Sequence, residues 1–279
     1  VICIGEALVD QIINIPEGNC KNYLGGAPAN VACGLSKLGV HTEFVGCLGD
    51  DEFGKEFINL FRDLGVNIQS TQVDKNCSTR IIKVCINDEG DRSFAGFVNS
   101  QKIFADEMLD RKVFERSEIS LQTLFKEAKY FITGTNLLAS NKSSEALLFL
   151  VEYASKSGVS IVIDANWREI FWDKFDKSSQ IQKQDHIQKI KKFLLNGDIL
   201  KLSNEEAILF FGNNNPLLIS QSLSKKPDVI ITNGDKPISW FINGFQDTTK
   251  VLKSPRIVDT TGAGDSFLAG LISRFINRK

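Results

Sequence analysis

Apolar and polar positions along the chain fall into short β-branched runs that alternate with longer stretches of helical spacing. Val1-Ile-Cys-Ile-Gly5 is too short and too β-branched for a helix, so it predicts a buried first strand. Glu43 to Leu48 predicts a second strand. Asp51 to Leu64 carries Phe53, Phe57, Ile58, Leu60, Phe61 and Leu64 at helical spacing, with a stop at Gly65. Arg80 to Asn87 and Ser93 to Val98, joined across Asp88-Glu-Gly-Asp91, read as a hairpin. The rhythm then resumes: strands Lys129 to Thr133, Val159 to Asp164 and Asp198 to Leu202 alternate with helices Ser143 to Ser157, Asp185 to Leu195 and Asn204 to Phe211. Strands at Asp228 to Thr232 and Ser239 to Ile242 precede a last helix, Gly264 to Ile276.

Alternation of this kind predicts an α/β fold, a doubly wound and mainly parallel sheet flanked by helices. The expected organisation is one α/β domain over residues 1–279 with a small β-sheet insertion. That insertion combines Gln11 to Leu24 with Thr71 to Val98, two pieces that can pair only beside the first strand, and a lid is the natural role for it. The polar stretch Lys174 to Asp185 reads as a surface loop, and no internal repeat is present.

Composition narrows the function classes. The 279 residues are 42% hydrophobic, and 33 basic against 34 acidic side chains leave a net charge of −1. With no Lys/Arg block, the chain lacks the positive field that nucleic acid or anionic lipid requires, and small polar partners are expected instead. Its longest apolar stretches, such as Ala146 to Val151, fall far short of the ~20 residues of a membrane span. A cytoplasmic location is expected, and the absence of an initiator Met suggests a trimmed N-terminus. The six cysteines (Cys3, Cys20, Cys33, Cys47, Cys77, Cys85) form no C-x-x-C pair and read as reduced core residues. His41 and His186 have no neighbouring ligands, which argues against zinc.

Two segments resemble phosphate loops. Gly49 to Glu56 nearly spells G-x-x-x-x-G-K-[ST], but it ends in Glu where a hydroxyl would hold Mg²⁺, and its acids would repel phosphate. A charged turn before a helix is the better reading. Asp259-Thr-Thr-Gly-Ala-Gly-Asp265-Ser-Phe-Leu-Ala-Gly270 is more informative. The N–H groups of Gly262, Ala263 and Gly264 at a helix start make an anion hole, and Asp265 stands among them as a carboxylate. An acid there opposes simple phosphate binding, yet phosphoryl transfer to an alcohol needs both a base and oxyanion donors. The plainer alternative makes Asp265 a helix N-terminal acid and lets Ala269 and Gly270 serve close helix packing.

At these residues the sequence resembles the PfkB, or ribokinase-like, family of carbohydrate kinases, whose C-terminal signature matches Asp259 to Gly270. A second family motif matches Gly25-Gly26-Ala-Pro-Ala-Asn30-Val-Ala, followed by Gly39 and Gly49, and the resemblance covers nearly the whole chain. It implies that Asp265 is the catalytic base, with Gly262, Ala263 and Gly264 as the anion hole, and that Asp10, Gly25, Gly26 and Asn30 hold the sugar. Asp164-Ala-Asn166-Trp-Arg168, with Phe171-Trp172 after it, resembles a segment of the fructokinase-like branch. By this resemblance Arg168 meets substrate or phosphate, and Asp164, Asn166, Thr232 and Gly234 join Gly262 and Gly264 on the nucleotide side. Glu206 is implied to orient Mg²⁺ through water, and Asp259 and Thr261 to hold a monovalent cation such as K⁺.

Three departures from the family pattern stand out: Pro237 where a glycine is usual, Ser203 in place of an Asn, and an end at Lys279 where relatives continue with a wall for adenine. The last leads to the expectation that the chain is cut short or its ATP site weakened. ATP-dependent phosphorylation of fructose to fructose 6-phosphate is the activity the resemblance implies, because Ser78-Thr79-Arg80 and Gly90-Asp-Arg-Ser-Phe94 also resemble fructokinase lids. Ribose, 2-keto-3-deoxygluconate and adenosine are alternative acceptors. A sugar- or nucleotide-binding scaffold without turnover is a further alternative. Pairing of lid strands between subunits, as in relatives, makes a homodimer an expectation.

Overall fold

The computed structural model describes residues 1–14, 19–86, 92–99, 102–172, 180–252 and 260–277. The chain opens with β1 (Ile2–Ile4), β2 (Leu8–Asn14) and β3 (Asn19–Gly25), then α1 (Ala27–Lys37). No helix is expected over α1, although its buried positions Pro28, Ala29, Val31, Ala32 and Leu35 fall at helical spacing. Its small residues follow two glycines, and Gly26 (φ 99) serves as the N-cap with a proline in the first turn. The strand expected over 43–48 is two strands, β4 (Glu43–Val45) and β5 (Cys47–Gly49), which belong to different sheets. The break falls at Gly46, where a Cβ would lie 2.7 Å from the Gly5 carbonyl oxygen.

α2 (Glu52–Leu64) forms as expected and ends on Gly65 in the left-handed conformation. Asp51 caps it. Its carboxylate accepts from the Gly54 N–H (2.9 Å), the Thr79 N–H (2.7 Å) and the Thr79 hydroxyl (2.8 Å). The acidic loop that mimics a P-loop is therefore a helix cap tied through Thr79 to the segment before the strand that starts at Ile81.

β6 (Gln72–Asp74), β7 (Ile81–Ile86) and β8 (Arg92–Phe97) follow, then α3 (Arg111–Glu115) and α4 (Glu118–Lys126). β7 and β8 pair antiparallel as the predicted hairpin, and its turn lies outside the described residues. The alternating half of the chain runs β9 (Tyr130–Thr133), α5 (Asn141–Lys156), β10 (Ser160–Asp164), α6 (Gln180–Leu194), β11 (Ile199–Ser203), α7 (Asn204–Phe211), α8 (Pro216–Ser222), β12 (Asp228–Asn233). β13 (Lys236–Ile242), β14 (Phe245–Thr249) and α9 (Ala263–Asn277) complete it. The loop expected over 174–185 is corrected in part: the helix begins at Gln180, its early turns being polar, with Ile190, Phe193 and Leu194 carrying the burial.

The main sheet has the order β14-β13-β12-β11-β10-β9-β1-β4, parallel from β4 to β12 and antiparallel at β12-β13-β14. Successive strand residues feed opposite faces. Ile161, Ile163, Val229 and Ile231 pack into the core shared with α4 to α8, while Val162 and Ile230 pack into the core shared with α1, α2 and α9. Burial on both faces is why these strands read as continuous apolar runs. β3-β2-β7-β8 form a second sheet, in which β2 and β7 pair in parallel although far apart in sequence. Its Leu8, Ile82, Val84 and Phe97 pack with Phe104 and Phe171.

The cysteines are all free, but they are not all core residues. Cys3 and Cys47 are buried, and burial pushes both thiols up to about 12, whereas Cys20 on β3 is exposed. No helix among the described residues is long and apolar enough to cross a membrane.

Candidate active site

The parallel strands β9 to β12 lie on one side of β1, and β4, which follows β1 through a crossover, lies on the other. A cleft is expected outside the strand C-termini at such a reversal, and one of about 440 Å³ is present there. Asp10, Gly26, Asn30, Asp164, Asn166, Arg168, Glu206, Thr232, Thr261, Gly262, Gly264 and Asp265 all line it. Residues separated by more than two hundred positions thus share one cavity. Gly25, Ala263 and Gly234 do not line it, and Asp259 lies outside the described residues. Gly25 backs it indirectly, since a Cβ there would fall 2.8 Å from Asp10 Oδ2.

Helix packing positions the acid. α1 and α9 approach so closely that a Cβ on Gly34 would lie 2.9 Å from the Ala269 Cβ. One turn nearer both N-termini, Asn30 Nδ2 donates to Asp265 Oδ2 at 2.9 Å. Gly262 (φ 73) makes the turn into α9, where the Ala263 N–H donates to the Thr260 carbonyl oxygen (3.2 Å). Burial holds the Asp265 carboxyl above its ordinary range and Asp164 adds to this, while the Asn30 hydrogen bond and the charges of Lys201 and Arg168 oppose it.

Lys201 escaped the sequence reading, although a lysine between Leu200 and Leu202 in an apolar strand is a signal. Its ammonium is buried and donates to Asp164 Oδ2 at 2.7 Å. A Cβ on Gly264 would sit 3.2 Å from that nitrogen, so the glycine lets the turn rest directly on the cation. Burial works against the Lys201 charge, but Asp164, Glu206 and Asp265 outweigh it and raise its pKa. The other Asp164 oxygen, Oδ1, is buried with no partner among the described residues.

Glu206 occupies a capping box, with both of its oxygens held by backbone. Oε2 accepts from the Ser203 N–H and Oε1 from the Trp167 N–H, each at 2.7 Å, and the Ser203 hydroxyl accepts from the Glu206 N–H. Burial first, then the Asp164 charge, raises its pKa. Ser203, a departure from the family pattern, is thus the cap of α7.

Glu6 and Asn136 also line the cleft and were missed, because one acid after a strand and one Asn after another carry no periodic signal. Arg80, in a segment that resembles fructokinase lids, does not line it. Its guanidinium is buried against Asp106 (2.9 Å) and Glu107 (2.6 Å) and lies over the rings of Phe97, Phe104 and Phe171. It fastens the start of β7 to the segment before α3.

A doubly wound sheet with an accessory β-sheet beside its switch-point cleft is the architecture of ribokinase-like sugar kinases. "Crystal Structure of Fructokinase with bound ATP from Xylella fastidiosa" superposes with a TM-score of 0.85 over 100% of this chain and 82% of that one, at 24% identity. An uncharacterized sugar kinase from Pyrococcus horikoshii in complex with ATP superposes at 0.80 over 100% and 85%, at 26% identity. The chain belongs to the pfkB family of carbohydrate kinases, whose model matches residues 1–279. It is 30% identical to "Probable fructokinase-6, chloroplastic" of Arabidopsis thaliana over 99% of this chain and 70% of that protein. It is 31% identical to "Fructokinase-2" of Zea mays over 98% and 78%. The chain is therefore a sugar kinase of the pfkB family.

Proposed function

We propose that this sugar kinase transfers the γ-phosphoryl group of ATP to fructose, giving fructose 6-phosphate. The observation that carries the reading is Asp265, a half-buried carboxylate of raised pKa set at the glycine turn that opens α9 and facing a cleft lined by Asp10 and Asn30. Asp10 and Asn30 offer the acceptor and donor atoms that a polyol pairs with. Asp265 takes the proton of the acceptor hydroxyl, and Gly262 and Gly264, the turn residues that line the cleft, receive charge on the phosphoryl oxygens. The Ala263 N–H expected to join them is held by the Thr260 carbonyl oxygen. Lys201 keeps the turn electropositive from beneath, Arg168 meets the substrate or its phosphate, and Asn166 and Thr232 serve the nucleotide side with Asp164. The β3-β2-β7-β8 sheet acts as the lid that excludes water. The plant relatives named fructokinase support fructose as the acceptor.

Among the described residues no three His, Cys, Asp or Glu side chains cluster as a metal site. Such a cleft suits Mg²⁺ arriving with the ATP phosphates, since magnesium keeps several waters and needs few protein ligands. The buried, unpartnered Oδ1 of Asp164 is the acceptor best placed for one of those waters, with Glu206 beside it. When bound, the ion neutralises phosphate charge. For a monovalent cation, Thr261 lines the cleft.

Coupled ADP release with Mg-ATP and K⁺, against fructose, ribose, 2-keto-3-deoxygluconate, adenosine and no acceptor, tests the reading. The expected result is the highest kcat/KM with fructose and loss of turnover on chelation. Preference for another acceptor would overturn the choice of fructose, and ADP release independent of any acceptor would overturn the kinase assignment.

A further inference from the structure

Glu6 follows β1 and Asn136 follows β9, the two neighbouring strands at which the order of the main sheet reverses. Their side chains meet there: Asn136 Nδ2 donates to Glu6 Oε1 at 2.9 Å. Both residues line the cleft and both are buried, at 2% and 7% exposure. Each keeps one polar atom without a partner among the described residues, Oε2 of Glu6 and Oδ1 of Asn136. Two such atoms at one spot are unusual, because nearly all buried polar groups are satisfied.

Among the described residues no hydrogen bond from a protein cation reaches either atom. The Lys201 ammonium pairs with Asp164. The Arg80 guanidinium pairs with Asp106 and Glu107 through Nε and Nη2, its Nη1 staying unpartnered beside a small cavity that Asn136 also borders. The backbone packs tightly as well: a Cβ on Gly26 would fall 2.6 Å from the Glu6 carbonyl oxygen, so the Glu6 backbone lies directly against the N-cap of α1. Side chains joined by a hydrogen bond, each with an oxygen to spare, suit a hydroxyl: it donates its one proton to the ionised carboxyl, or, when the carboxyl is protonated, accepts from it and donates to the amide oxygen.

We propose that Glu6 is a specificity-determining contact of the acceptor subsite, its free carboxyl oxygen and the free amide oxygen of Asn136 receiving one hydroxyl of the sugar other than the one phosphorylated. The proposal rests on the sugar-kinase reading above. An acceptor lacking that hydroxyl leaves the buried oxygens unpaired, which is how a site built for a hydroxyl rejects its deoxy analogue.

The test is a substitution cycle on the full chain: kcat and KM of the unaltered protein and of Glu6→Gln, with fructose and with deoxyfructoses each lacking one non-reacting hydroxyl. One analogue is expected to lose about 10- to 100-fold in kcat/KM with the unaltered protein. Glu6→Gln should lose a similar factor on fructose, chiefly through KM, and less than about 3-fold more on that analogue. A role confined to folding would instead give losses that multiply, and equal discrimination of every analogue by both proteins overturns the proposal. Should Glu6→Gln fail to fold, Asn136→Ala carries the same cycle. If another sugar replaces fructose, only the fructose reading fails and the cycle runs on deoxy forms of that sugar. If no sugar turns over, the kinase reading fails and the cycle is read from sugar-induced shifts in Tm. Absence of such shifts with every sugar overturns both.

Discussion

Asn30 donates its amide to the Asp265 carboxylate at 2.9 Å across 235 positions of sequence, one helical turn above the point where Gly34 meets Ala269. The small-residue contact sets how deeply α1 and α9 engage, and so where the carboxylate stands. Gly34→Val should therefore cost stability and catalysis together. Overpacking at this contact is expected to remove about 1–3 kcal/mol, read by urea denaturation, with kcat lowered although residue 34 does not line the cleft. Unchanged stability and kcat would show that the helices tolerate separation.

Asp265→Asn should reduce kcat by about 10²- to 10⁴-fold, the range of general base catalysis, while the sugar-induced shift in Tm persists. The base works only when deprotonated, and burial raises its pKa. Activity of the unaltered enzyme should accordingly fall with decreasing pH at values above the ordinary carboxylate range. A kcat profile flat down to the usual carboxylate range would remove Asp265 from the rate-limiting proton transfer.

Lys201→Met strips the cation from among three carboxylates, Asp164, Glu206 and Asp265. Leaving a buried charge uncompensated is expected to cost about 3–5 kcal/mol. Adding Asp164→Asn should restore much of that stability without restoring turnover, since the turn at Gly264 would still lack its cation. Equal recovery of stability and activity in the double variant would make Lys201 purely structural.

Burial raises the Glu6 carboxyl from 4.5 to about 7, with Asp106 and Asp265 adding to the shift and Asn136 opposing it. Between those pH values the folded chain holds a proton that the unfolded chain has released, so stability falls as pH rises. The loss across that window is about 3 kcal/mol at most. Glu6→Gln removes it: the variant should exceed the unaltered protein in stability at pH 8 and lose that advantage near pH 4. Parallel stability curves for the two proteins would contradict a raised pKa for Glu6.

The rhythm of strands and helices was legible because the parallel strands are buried on both faces and write unbroken apolar runs, as Ser160–Asp164 and Asp228–Asn233 do. The glycine turn before Asp265 was legible because a left-handed backbone at Gly262 constrains residue type locally. The resemblance supplied the family and the far-apart Asp10, Asn30 and Asp265. α1 was not legible as a helix because its buried stripe, Pro28, Ala29, Val31, Ala32 and Leu35, is built largely of small residues, and the early turns of α6 were not because they are polar in sequence.

What the amino-acid order determined by itself was therefore local: element type, turn chemistry, and the acid at a helix start. Only the tertiary structure decided which charges face each other. Lys201 meets Asp164, Arg80 turns away from the cleft to Asp106 and Glu107, and Glu6 finds Asn136 across 130 positions. The reason is physical: a strand dictates the alternation of its side chains, but strand order places the ends of β1, β9, β10 and β11 side by side. Burial at that junction then shifts the proton affinity of Glu6, Glu206 and Asp265, which no residue's neighbours in sequence specify.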